Sequence, residues 1–167
     1  MLKGSLEFTL AEDSCVVRLI GAITWEVSAD LDTFLGCVLN EIVIKKVYFD
    51  LSQTTYMDST SLGVLAHFKR HTFQYHVVFS LLNPSEEIFK NLNDVGLTRI
   101  FEIVRSKEDH SSSSSPVPSS KKYSPKEISA LVRKTHLALV SINDKNRELF
   151  DHIIKAIDDE DEVDKKE

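Results

Sequence analysis

Asp58, Ser59, Thr60 and Ser61 stand in succession inside "YMDSTSLGV", directly ahead of an apolar pattern of helical spacing. One carboxylate and three hydroxyls at a helix start allow three kinds of chemistry. Asp58 is placed as an N-cap, because its carboxylate can accept from the free backbone N–H groups of the first turn. A serine could act as a nucleophile, but it would need a base and an oxyanion site. The G-x-S-x-G elbow is absent, and His67 and His71 fall about two and three turns along the same helix, too far to reach Ser59. A hydroxyl at a helix N-terminus is also a surface position where phosphorylation adds about −1.5 to −2 charge. The helix dipole favours that charge and Asp58 opposes it, so the fold tolerates the group and the surface changes. Ordinary first-turn hydroxyl chemistry is the alternative for all three.

The flanking pattern supplies the elements that hold this stretch. Leu6 to Leu10 and Cys15 to Ile20 read as two strands joined by the polar turn Glu12-Asp13-Ser14. From Trp25, apolar residues at Val27, Leu31, Phe34, Leu35, Val38, Leu39 and Ile42 recur at three and four, which predicts a helix with one buried face. "KKVYFDLS" and "YHVVFSLLN" read as buried strands on either side of the helix that starts at Ser59. Pro84 and Ser85 start a third helix stopped by Gly96, and "RIFEIV" is a final strand. The order β-β-α-β-α-β-α-β predicts an α/β fold, a mixed β-sheet packed against α-helices. Asp50, at a strand end, is expected to satisfy a turn.

After residue 105 the composition changes. Residues 106–123 are dominated by Ser, Lys and Pro and read as a linker. Ser124-Pro125-Lys126-Glu127 is a capping box with proline at the first helical position, opening an amphipathic helical extension over 124–157. Its stripe puts Val132, Leu139, Asn146 and Ile153 at a, and Ile128, Thr135, Ile142 and Leu149 at d, of a heptad pattern. Either a homodimerising coiled coil or a helix docked on the first domain, folded as a hairpin near Asn143-Asp144, satisfies that pattern. Residues 158–167 form an acidic tail.

Composition narrows the function classes. The tail sets seven acids against two lysines and so carries most of the formal net charge of −6, leaving a nearly neutral body. That balance lacks the basic footprint of a direct nucleic-acid binder. Cys15 and Cys37 have no partner at metal-ligand spacing and are expected as buried free thiols. No apolar run reaches membrane-spanning length and none ends in a cleavage site, so a cytoplasmic protein without membrane insertion is expected.

Residues from about 5 to 105 resemble a STAS domain, the fold of bacterial anti-sigma factor antagonists. The resemblance rests on "VVRLIGAIT", the amphipathic helix after it, and "VYFDLSQTTYMDSTSLGVL". Asp50-Leu51, Met57-Asp58-Ser59 and Leu62-Gly63 match the family signature, and "NPSEEIFKNLNDVGLTRIFEI" looks like its third helix and last strand. In that family the residue after the aspartate is the regulatory hydroxyl, which implies Ser59 as the phosphorylation site, with Thr60 a secondary candidate.

The resemblance implies one half of a phosphorylation-controlled partner switch rather than an enzyme. Unphosphorylated, the protein would bind an anti-sigma factor that is also a serine kinase; phosphorylation of Ser59 would release it, and a serine phosphatase would reset it. No cofactor is implied for this chain, since ATP and magnesium belong to the kinase. Thr24, Trp25, Tyr56, Met57, Asp58, Ser59 and Ser61 are the expected partner-binding residues. The rival implications are a non-phosphorylated STAS scaffold in a signalling assembly and the cytoplasmic STAS subunit of a lipid transporter.

Overall fold

The computed structural model describes residues 3–41, 43–108, 113–119 and 122–165. Ile42, linker residues 109–112 and 120–121, and the tail's Lys166 and Glu167 lie outside the described residues. β1 (Ser5–Ala11) and β2 (Ser14–Ile23) form an antiparallel hairpin in which Leu6 faces Leu19 and Leu10 faces Cys15. β3 (Lys46–Asp50), β5 (Val78–Leu82) and β6 (Glu102–Val104) extend it in parallel. β4 (Thr54–Met57) pairs in parallel with the end of β2, and β7 (Ser115–Pro116) lies antiparallel to β1. The strand order is β6-β5-β3-β2-β1-β7, with β4 off that path.

Alternation along these strands divides the sheet into two faces. Cys15, Val17 and Leu19 of β2, Val47 and Phe49 of β3, and Phe79 and Leu81 of β5 enter the hydrophobic core. Arg18, on the opposite face of β2, is buried between Glu7 at 3.0 Å and Asp50 at 3.6 Å. The core is completed by α1 (Trp25–Glu41), α2 (Ser59–Tyr75) and α3 (Glu86–Asp94), which supply Leu31, Leu35, Leu65, Ile88 and Leu92. A 3₁₀ turn, Leu97–Arg99, precedes β6, so the final strand is shorter than "RIFEIV" suggests. Gly96 opens that turn at φ 81°, a left-handed conformation that suits glycine.

Two short strands had no clear sequence signal. β4 is four residues long and carries no alternation, yet it positions the start of α2. β7 lies within the Ser/Pro-rich segment read as a linker. The Val117 backbone N–H donates to the Leu6 carbonyl at 2.9 Å and its side chain is buried, so this stretch is docked along the sheet edge, where proline is tolerated.

The extension is two helices, α4 (Pro125–Val140) and α5 (Asp144–Asp164). The capping box at Ser124 and Glu127 is formed. Asn143 starts α5 by accepting the Asn146 N–H at 2.8 Å, which turns the chain and splits the heptad stripe in two. Asn146 lies inside the hairpin, donating to the carbonyls of Val95 at 2.9 Å and Leu139 at 2.8 Å. The helix α4 packs principally on α2, with a smaller contact on α1, and α5 packs on α4. Of the two cysteines only Cys15 is buried; Cys37 is exposed, because its position on α1 falls between the core-facing Leu35 and Val38.

Candidate functional site

β4 runs beside the end of β2 because Gly21 donates to the Gln53 carbonyl at 2.9 Å and the Thr54 hydroxyl donates to the Leu19 carbonyl at 2.7 Å. The strand delivers Asp58, whose N–H donates to the Ile23 carbonyl at 3.1 Å. There the Asp58 carboxylate serves two helices at once. One oxygen accepts the Ser61 N–H at 2.8 Å, capping α2, and the other accepts the Trp25 N–H at 2.7 Å, fixing the start of α1. The two loops at the sheet end are thereby locked together, with Trp25 bonded to Asp58 and Ile23 paired with Met57.

The three hydroxyls separate. Ser61 is fully buried and donates to the Asp58 carbonyl at 2.7 Å, so its hydroxyl is part of the cap. Thr60 is 5% exposed. Ser59 is half-buried at the first position of α2. Trp25 and Tyr56 are exposed at 44% and 41%, whereas Met57, at 3%, belongs to the core. Met57 and Ser61 therefore drop out of the surface set expected from sequence, since both point inward.

A residue from the other end of the chain completes the site. His136 of α4 brings Nε2 to 3.0 Å from Ser59 Oγ, while its Nδ1 lies 2.7 Å from the Val132 carbonyl. A carbonyl only accepts, so Nδ1 carries the proton and Nε2 accepts from the Ser59 hydroxyl. Burial lowers the His136 pKa and so favours the neutral ring, an effect that the Val132 hydrogen bond and Asp58 oppose without reversing. The ring also meets Phe150 edge-on at 5.3 Å between centroids.

The pairing resembles a nucleophile and its base, but His136 is 1% exposed. Cavities of about 630, 520 and 260 Å³ are lined by neither Ser59 nor His136. Among the described residues no cluster of three or more His, Cys, Asp or Glu could hold a metal ion.

Close helix packing explains how His136 gets so near. Gly63 lies one turn after Ser59, and a Cβ there would stand 2.6 Å from both the Cβ and the carbonyl oxygen of Thr135. Only glycine admits α4 at this depth, and it sets the next residue, His136, over Ser59. Lys134 reaches both oxygens of Asp32 on α1 at 2.7 Å, and the Tyr123 hydroxyl donates to Asp30 at 3.0 Å. Sequence reasoning stopped at His67 and His71, and no local signal in "RKTHLAL" marks His136 as a partner of Ser59.

Comparison with known proteins addresses the fold. Residues 5–110 match the family model described as STAS domain. The anti-sigma factor antagonist SpoIIAA in its unphosphorylated form is similar in structure, with a TM-score of 0.58 at 17% identity, over 62% of this chain and 90% of that one. The Bacillus cell fate determinant SpoIIAA in its phosphorylated form aligns with a TM-score of 0.53 at 19% identity, over 64% and 93%. The murine anion transporter Slc26a9 matches with a TM-score of 0.51 at 11% identity, over 62% of this chain but 20% of that one. At these identities the likeness concerns the fold.

Proposed function

The chain belongs to the STAS family, and on that premise we propose that it is an anti-sigma factor antagonist working by a phosphorylation-controlled partner switch at Ser59. One observation carries the reading: of the three hydroxyls at the start of α2, Ser59 alone is not buried, and it follows Asp58, whose carboxylate accepts the backbone N–H of the exposed Trp25. The unphosphorylated chain binds an anti-sigma factor that is also a serine kinase, through Thr24, Trp25, Tyr56 and the Asp58-Ser59 corner. Phosphate on Ser59 places a dianion in that interface and ejects the protein, and a serine phosphatase restores it. Thr60 is the weaker acceptor, because its burial withholds the hydroxyl from a kinase.

In this reading the protein carries out no catalysis itself and acts in the cytoplasm, where its partners are found. Among the described residues no helix is long and apolar enough to cross a membrane. The likeness of SpoIIAA in both phosphorylation states supports the switch at the level of fold.

The test is peptide mapping of the protein after incubation with ATP and serine kinases from its own cell, alongside Ser59→Ala. Stoichiometric phosphate at Ser59, absent in the alanine variant, is expected. A chain that no such kinase modifies, and whose Ser59→Asp variant keeps every partner, would instead be a scaffold or transporter subunit.

A further inference from the structure

We propose that the α4–α5 hairpin is a displaceable cover over Ser59, occupying in cis the face of α2 that a partner must approach, and that phosphate on Ser59 unseats it. The inference rests on the reading of Ser59 as a phosphorylation site, but the cover itself is argued from geometry.

Three features make the hairpin a cover. It follows the edge strand β7 in the chain, and with β7 and Val117 left docked beside β1 the hairpin can leave without unthreading the sheet. It is seated by Leu131, Ala138 and Leu139, which enter the hydrophobic core, and by close and polar contacts: Thr135 on Gly63, Lys134 on Asp32 and Asn146 on the Val95 carbonyl. Its central contact is the hydrogen bond from the Ser59 hydroxyl to His136, so the group that would be modified also holds the cover down.

Phosphorylation reverses the chemistry of that contact. Transfer of the γ-phosphoryl group from ATP forms the Oγ–P bond, breaks the bond to the ADP leaving group, and removes the hydroxyl proton to the kinase's base. The ester oxygen then has no hydrogen to donate, and Nε2 can meet the phosphate only by taking up a proton at a site whose burial opposes the charged ring. The present 3.0 Å between Oγ and Nε2 leaves no room for a phosphorus and its three further oxygens. Turning the serine outward still leaves His136 buried with an unpaired Nε2, so the latch is lost in either geometry.

The consequence is competition at one surface. With the hairpin seated, a partner or kinase meets only the fraction of molecules whose cover is open, and its apparent affinity falls by that fraction. Phosphorylation removes that competitor while it places a dianion in the interface, so the partner is ejected only because the penalty of the dianion exceeds the cost of opening the cover.

The decisive experiment compares hydrogen exchange of the full chain with and without phosphoserine installed at position 59 during translation. Amides of Pro125–Val140 and Asp144–Asp164 should exchange at least about tenfold faster in the phosphorylated chain, with β2, β3 and β5 unchanged. Unchanged protection of α4 would overturn the proposal. Should protection fall across the whole chain, Ser59→Ala decides: faster exchange confined to the hairpin upholds the latch, and unaltered exchange overturns it. Because no kinase is used, a cover that opens on installed phosphate while no kinase modifies Ser59 would sink the switch and leave the cover standing.

Discussion

Ser59 and His136 lie 77 positions apart and meet at 3.0 Å, which joins the start of α2 to the middle of α4 through one hydrogen bond. The bond depends on a chain of causes: β4 aims Asp58, Asp58 caps α2, and Gly63 lets α4 sink to where His136 can reach. Each link makes a separate prediction.

Gly63→Ala sets helix propensity against packing. Alanine favours an isolated α2 by about 1 kcal/mol, but its Cβ meets Thr135 at 2.6 Å. The expected net effect is destabilisation of hairpin docking by about 1–3 kcal/mol. Limited proteolysis should cut the 106–123 segment faster while the sheet domain stays protected; slower cleavage than wild type would contradict this packing account.

Asp58→Asn should cost nearly as much as Asp58→Ala, about 1–2 kcal/mol in urea unfolding. An amide can keep one acceptor for the Ser61 N–H, but its NH₂ group would then face the Trp25 N–H, donor against donor. An asparagine variant as stable as wild type would show that the second cap contributes little.

Acid should loosen the hairpin. The folded-state pKa of His136 is lowered mainly by burial, and that of His67 is lowered to about 4, by burial first and then by Lys134. Between those folded values and the ordinary histidine value of about 6.5, the unfolded chain binds more protons, so stability is present above that value and falls as pH drops through the window. The groups facing His136 are Asp58, which opposes this shift, and His152, which adds to it. Urea midpoints at pH 7.5 and 5.5 should differ less in His136→Gln than in wild type.

The two thiols should react unequally. Burial pushes the Cys15 pKa up to about 12, whereas Cys37 is exposed. A thiol reagent at neutral pH should label Cys37 alone in the folded protein and both residues in denaturant, as read by peptide mass.

The domain's main elements were legible because their apolar patterns are strong: α1 repeats from Val27 to Leu39, and β2 and β5 are apolar-rich runs interrupted by Arg18 and Ser80. β4 and β7 were not, since four and two residues are too few to show a period. The stripe from Ile128 to Ile153 fits one helix or two equally well; the chain reverses at Asn143, a residue whose capping role depends on context. Asp58 as N-cap could be read locally, but its second bond to Trp25 needed the sheet. Pairwise meetings such as Ser59 with His136 leave no mark in a single sequence, because neither residue's neighbours change with the contact.

The most direct test of the proposed switch is the affinity of the unmodified and Ser59-phosphorylated full chains for the anti-sigma factor kinase that the proposal requires, measured by titration calorimetry. A dianion at the interface costs several kcal/mol, and about 3 kcal/mol corresponds to more than a hundredfold. The account predicts binding at least about a hundredfold weaker after phosphorylation. Equal affinity of the two forms would contradict it.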